Sequence, residues 1–210
     1  MGWRGSIGGW RRSLRFAACK GRRLAVAVSI LACLVLWSDF GGADDVAVPV
    51  PLQAELVAKI ASYDKNFAAR AGERAHILIV AKPGNADSSR FAKHMESALR
   101  DLATIGGLPH DEGILAYDGA PELAAACKSR RVSIVYLAPG FGDEVGNIRT
   151  ALEGVNVLSV AAIGEQVQKG IVLGFDLVSG KPKILVQLTQ AKKQDVAFKA
   201  EFLKLARVYE

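Results

Sequence analysis

A three-layer α/β fold, a mostly parallel sheet covered by helices on both faces, follows from three features of the chain. Short apolar runs alternate with amphipathic stretches from about residue 50 onward. Most of these runs stop at Pro-Gly or Gly-rich turns, the punctuation expected between a buried strand and the next helix. Near the C-terminus two runs flank a tight-turn signal instead of a helix, which marks a hairpin. Strand–helix alternation implies right-handed crossovers and parallel pairing. The late hairpin adds an antiparallel edge.

The elements are expected as follows. Leu52, Leu56, Ile60, Tyr63 and Phe67 are spaced four, four, three and four residues apart, so Pro51 to Ala69 reads as one helix. Pro51 suits its first turn. His76 to Ala81 (HILIVA) is a buried strand closed by Pro83-Gly84. Asp87-Ser88-Ser89 opens a second helix with Phe91, Met95, Leu99 and Leu102 inward, and Gly106-Gly107 stops it. Gly113 to Tyr117 is the second strand, and Pro121 to Lys128 a short Ala-rich helix. Val132 to Ala138 is the third strand, ended by Pro139-Gly140. Asp143 to Glu153 is a helix that turns Val145, Ile148 and Leu152 inward. Val157 to Val160 is the fourth strand, followed by a helical turn at Gly164–Val167. Residues 171–178 and 183–188 flank Ser179-Gly180-Lys181-Pro182, the hairpin signal. A last helix is expected from about Gln190 to Val208. The sum is a Rossmann-like or flavodoxin-like sheet, which binds ligands outside the carboxyl ends of its strands.

Charge divides the 210 residues in two. The chain carries 27 Lys+Arg and 21 Asp+Glu, a formal net charge of +6. Residues 1–43 hold seven of the basic side chains and one acid, Asp39, so the remainder is balanced at twenty of each. A nucleic-acid binder carries its positive charge on the folded body, and this chain does not. The order within residues 1–43 is a basic stretch to Arg23, an apolar run from Leu24 to Trp37, and Gly41-Gly42-Ala43 before Asp44-Asp45. This is the pattern of a secretory signal peptide cleaved after Ala43. The apolar run is shorter than the roughly 20 residues that span a bilayer, which ranks an uncleaved anchor second. Arg11-Arg12 lies far from the apolar run, and Cys33 sits inside it, so twin-arginine and lipoprotein signals rank behind ordinary export to the periplasm. Residues 44–50 are a linker, and 51–210 form one domain.

Three strand-to-helix loops carry the best candidate ligand site. Gly84 with Ser88 and Ser89, then Gly140 and Gly142, then Gly164 combine open backbone with helix starts, a small-anion arrangement. Ordinary turn and cap chemistry explains the same residues, and neither a Walker A sequence nor a full Gly-x-Gly-x-x-Gly fingerprint is present. His76, His94 and His110 lack metal-ligand spacing. Cys127 has Lys128, Arg130 and Arg131 beside it but closes an Ala-rich helix face, which suits a small buried hydrophobe. Ser159 and Ser179 have no evident base partner, so no catalytic residue is named.

In the C-terminal half, Val157-Leu158-Ser159-Val160, Gly170 to Phe175, Leu185-Val186-Gln187-Leu188 and Ala200 to Val208 follow the order and spacing of the YfiR family, and Lys59 to Phe67 (KIASYDKNF) resembles a weaker version of its opening. The resemblance implies a periplasmic, non-catalytic α/β domain without a cofactor. It also implies a membrane-bound diguanylate cyclase as partner, repressed through its periplasmic part, with homodimers common. The chain departs from the family at Leu185-Val186-Gln187, where Glu-Ile-Asn is common, and at Asp195-Val196, where Gly-Leu is. Its body has no Trp and keeps one cysteine where the family has pairs. The expected partner surface is an exposed apolar patch around Tyr63, Phe67, Phe198 and Phe202. The alternative reading is a solute-type small-molecule binder that uses the strand-end loops.

Overall fold

The computed structural model describes residues 46–210. The expected leader, residues 1–43, lies outside the described residues. In chain order the elements are α1 (Val50–Ala61), α2 (Phe67–Ala71), β1 (Ala75–Ala81), α3 (Ala86–Arg100), β2 (His110–Ala116), α4 (Ala120–Ser129), β3 (Ile134–Leu137), α5 (Val145–Ala151), β4 (Leu158–Ala161), α6 (Glu165–Gln168), β5 (Leu173–Val178), β6 (Lys181–Gln187), α7 (Leu188–Lys193), α8 (Ala200–Leu203) and β7 (Arg207–Tyr209).

The sheet has seven strands in the order β2-β1-β3-β4-β5-β6-β7. β1 to β5 are parallel, β6 returns antiparallel to β5, and β7 runs parallel to β6. The fold is therefore the expected mostly parallel α/β sheet with a C-terminal hairpin. Its strand order reverses between β1 and β3, which makes their carboxyl ends the topological switch point.

Two apolar cores lie on opposite faces of the sheet. One joins Val57 of α1, Phe91 and Met95 of α3, Tyr136 of β3 and Phe202 of α8. The other joins Leu123 of α4, Val135 and Leu137 of β3, and Ile148 of α5. Alternate residues of β3 thus feed alternate faces, as the two-residue period of a strand requires. At the sheet centre the Tyr136 hydroxyl donates to Gln53 Oε1, and Gln53 Nε2 donates to the Val48 carbonyl at 2.8 Å. This buried relay fastens α1 to the middle strand. Burial drives the Tyr136 phenol well above its ordinary range.

The hairpin turn is Ser179-Gly180, with φ of 52° and 72°. Two successive positive values are those of a type I′ turn, so Lys181 and Pro182 belong to β6 rather than to the turn.

Two helices expected from periodicity are divided. The first ends at Ala61 because Ser62, Asp64 and Asn66 hydrogen-bond locally in competition with the helix. Ser62 Oγ donates to the Lys59 carbonyl at 2.7 Å, and Asp64 Oδ1 accepts from the Asn66 amide at 3.1 Å. The last expected helix is two short helices and a strand. Asp195, at φ 54°, ends α7, with the Val196 amide donating to the Ala191 carbonyl at 2.8 Å. Arg207 to Tyr209 then add β7 to the sheet. β2 starts three residues before the expected Gly113, because an edge strand accommodates the polar His110-Asp111-Glu112.

Candidate functional site

The loops after β1 and β3 lie side by side at the switch point, and their polar groups turn toward one another. Asn85 caps α3: its side-chain oxygen accepts from the Ser88 amide at 2.9 Å. Ser88 is buried, and its hydroxyl accepts from the Lys82 amide at 2.9 Å. Ser89 donates to the Asn85 carbonyl at 3.0 Å. Gly140, at φ 99°, lets the β3 loop pass beside this cap, where an added Cβ would lie 2.7 Å from Asn85 Nδ2. Lys82 crosses the crevice to Glu144, 2.9 Å away. Gly84 and Gly142 have open space around them. The functional neighbour that spacing did not reveal is Glu144, whose carboxylate takes the charge of Lys82. Tyr117 stands edge-on to Phe141 at 5.1 Å. Burial raises its hydroxyl's pKa first, with the charges of Glu144 and Glu122 adding to the effect.

A second arrangement forms where the two ends of the body meet. Lys65 donates its amide to the Ala197 carbonyl, and Lys199 donates to that of Tyr63, both at 2.9 Å. The segment after α1 is thereby stitched to the segment after α7. Asp64 and Arg70 form an ion pair of 2.7 Å beneath this seam, with side chains 0% and 2% exposed. A buried charge is tolerated only when paired and hydrogen-bonded, and both are. Asp64 Oδ1 also accepts from the Ala197 amide at 3.0 Å. Arg70 donates from Nε to Asn156 Oδ1 at 2.6 Å and from Nη2 to the Asp195 carbonyl at 3.0 Å.

This seam holds all four aromatics expected on the partner surface, but the expected exposure is corrected. Phe67, Phe198 and Phe202 are buried, and only Tyr63 is half-buried. Tyr63 stacks on Phe202 at 5.6 Å, and Phe198 packs on Phe202 at 4.9 Å. The rings lie inside because the chain turns after Ala61 and brings Tyr63 over the C-terminal segment. Five large hydrophobics stay exposed among the described residues. Ile114 is on β2. Leu177, Val178, Leu205 and Val208 are on the β5–β6 hairpin or beside and within β7.

The remaining candidates have structural surroundings. Cys127 is buried, and loss of solvation pushes its thiol up to about 12 despite the basic neighbours. Ser159 Oγ accepts from the Val172 amide at 3.2 Å. His76 pairs with Asp111 at 2.5 Å, His110 lies between the Leu102 carbonyl at 2.9 Å and Glu112 at 3.2 Å, and His94 is exposed. Among the described residues no group of three or more His, Cys, Asp or Glu is placed to hold a metal ion. No helix of these residues is long and apolar enough to cross a membrane.

A flavodoxin-like strand order, extended by a hairpin and fastened by a buried polar seam, defines a three-layer α/β domain. The YfiR/HmsC-like family model matches residues 51–207, and the chain belongs to that family. The family is one of periplasmic regulatory proteins without catalytic activity. No curated protein matches the chain significantly. Among solved structures, a conserved domain protein from Vibrio cholerae superposes with a TM-score of 0.55 at 13% identity, covering 77% of this chain and 60% of that one. The ABC domain in complex with L-Trp from Streptococcus pneumonia gives a TM-score of 0.55 at 10% identity, covering 76% of this chain and 61% of the other. The chain therefore spans about three fifths of the length of these structures, and at such identity the likeness is one of fold. Of the stretches that carry the family resemblance, Lys59 to Phe67 brings Tyr63 and Lys65 to the seam, and Ala200 to Val208 brings Phe202, which stacks on Tyr63.

Proposed function

We propose that this chain is an exported, non-enzymatic regulator that represses a membrane-bound diguanylate cyclase by binding its periplasmic part. Residues 1–43 direct export and are removed, and the α/β body acts from the periplasm. The observation that carries the reading is the family match across residues 51–207, which takes in nearly all of the described body. The partner contact falls on the hairpin and the β7 edge, since four of the five exposed large hydrophobics, Leu177, Val178, Leu205 and Val208, concentrate there. Exposed apolar clusters of this kind mark interaction surfaces. Repression works by population shift: a partner held in its inactive conformation is released when this protein is withdrawn.

The test is genetic and quantitative. Deleting the gene should raise cellular cyclic-di-GMP, and the intact gene supplied in trans should lower it again. Leu205→Asp should fail to restore repression while the protein accumulates normally. Unchanged cyclic-di-GMP in a clean deletion would sink the reading.

A further inference from the structure

A cavity of about 290 Å³ opens at the amino ends of β3 and β4, opposite the switch point, and its lining includes Arg70, Lys128, Arg131, Asn156 and Cys127. No carboxylate is among the lining residues. Arg70 is neutralised from behind by Asp64 and locked by its bonds to Asn156 and Asp195. Lys128 and Arg131 are exposed. Neither has a salt-bridge partner among the described residues. Asn156 Oδ1 accepts from Arg70 Nε, and its Nδ2 N–H groups remain as donors. The polar side chains at the mouth thus present donors and positive charge, the complement of an oxyanion.

The rim of the cavity is also the end of α4. Arg131 sits at φ 51° and closes α4: the Val132 amide donates to the Cys127 carbonyl at 2.9 Å and the Arg131 amide to the Lys128 carbonyl at 3.3 Å. This is a Schellman ending with arginine at the position that glycine normally takes. A Cβ is disfavoured there. Only two other non-glycine residues have positive φ among those described. Ser179 forms the hairpin turn, and Asp195 holds Asn66 and Arg70 through its carbonyl and carboxylate. Arg131 ends α4 where glycine would do so without strain, and it lines the cavity.

We propose that this cavity is a binding site for a small multivalent oxyanion, with Lys128, Arg131 and the Asn156 amide as its donors and Arg70 as its fixed floor. The ligand class is a phosphate, a phosphomonoester or a compact dicarboxylate, whose oxygens match these donors alike. Ala69, Val132 and Val155 give the cavity an apolar flank for a short organic body. The site is separate from the hairpin and β7 surface assigned to the partner, and its test reads binding by the protein alone.

The experiment is thermal unfolding of the purified protein in sodium phosphate, in sodium succinate, and in sodium chloride at matched ionic strength. Phosphate, succinate or both should raise the Tm above the chloride control, by several degrees at millimolar concentration, and the arm that does so identifies the class. In Arg131→Gly the anion-dependent rise should vanish while the Tm in chloride equals or exceeds that of the wild type, because glycine suits the left-handed position. In Lys128→Gln the rise should fall by at least half. No rise beyond chloride in either arm would overturn the proposal. So would a rise that persists undiminished in the Lys128→Gln, Arg131→Gly double variant.

Discussion

The two ends of the parallel sheet treat charge in opposite ways. At the carboxyl ends of β1 and β3, glycines, serines and a lysine gather in the arrangement associated with anion binding, yet Asn85, Ser88 and Glu144 take up the donors. At the amino ends of β3 and β4, no motif announces anything. There a fully buried pair, Asp64 and Arg70, lies under a cavity whose outer cations have no acidic partner among the described residues. The lesson is that a loop motif locates a turn, whereas the partner of each charge decides what the turn is free to bind. Lys82 and Lys128 are the same side chain in one protein, and they differ in having or lacking a carboxylate within reach.

The sharpest way to test this contrast is to remove one charge from each end. Arg70→Ala leaves Asp64 buried and short of its main partner, and truncating one member of a buried pair costs about 3–5 kcal/mol. The matching change at the carboxyl end, Lys82→Ala, breaks a pair whose side chains are 32% and 28% exposed. Both side chains reach solvent in part, so the expected loss is smaller, about 1 kcal/mol. Urea unfolding of the two variants beside the wild type measures both. Equal losses would break the comparison. Replacing Asp64 as well should not recover the stability, because its Oδ1 also serves the amides of Asn66 and Ala197.

Much of the architecture is legible in the sequence, and the failures have identifiable causes. β1, β3 and β4 are predominantly apolar because both faces of the sheet are covered. Their helices follow from spacing. The hairpin follows from Ser179-Gly180. What spacing hides is interruption by local hydrogen bonding. Tyr63 and Phe67 keep helical phase with Ile60, so nothing in the apolar pattern reports that Asp64 turns back to accept the Asn66 amide. β7 is three residues long and has no alternation to read. The Gly84 and Gly140 loops are visible as loops, but Glu144 lies inside an ordinary amphipathic stretch, and its pairing with Lys82 is a fact of three dimensions. Likewise Arg70, Arg131 and Asn156 are far apart in sequence and belong to no common motif. A basic residue where a helix should end in glycine is the one signal at Arg131 that a sequence alone carries.

Cys127 sharpens the picture of the amino end through pH. Burial pushes its thiol from an ordinary 9.0 up to about 12. The folded state then keeps its proton while the unfolded chain loses it, so stability is intact below pH 9 and declines as pH rises toward 12. Between pH 8 and pH 10 the expected loss is about 1.4 kcal/mol. Tyr136 and Tyr117, also raised, contribute chiefly above pH 10. Cys127→Ala should remove most of that slope between pH 8 and 10 while lowering stability at neutral pH through lost packing. Urea titrations at the two pH values separate the effects. A wild type whose stability is flat over this range would mean that the basic neighbours, not burial, govern the thiol.

The smallest effect concerns the cap that closes the carboxyl end. Asn85 accepts from the Ser88 amide, and its side chain also fills the space beside Gly140. Asn85→Ala forfeits the cap, worth about 1 kcal/mol, and opens the crevice without touching Lys82 or Glu144. Asn85→Asp keeps an oxygen in the capping position and adds charge favourable to the start of α3, so it should retain stability. If the carboxyl end is closed by its own side chains, Asn85→Ala should lose stability yet gain no phosphate-dependent rise in Tm, because Glu144 still neutralises Lys82. Only the double change Asn85→Ala, Glu144→Gln frees the lysine beside an uncapped helix. A rise that appears in the double variant and not in the single one would show that the carboxylate alone separates this end of the sheet from the other.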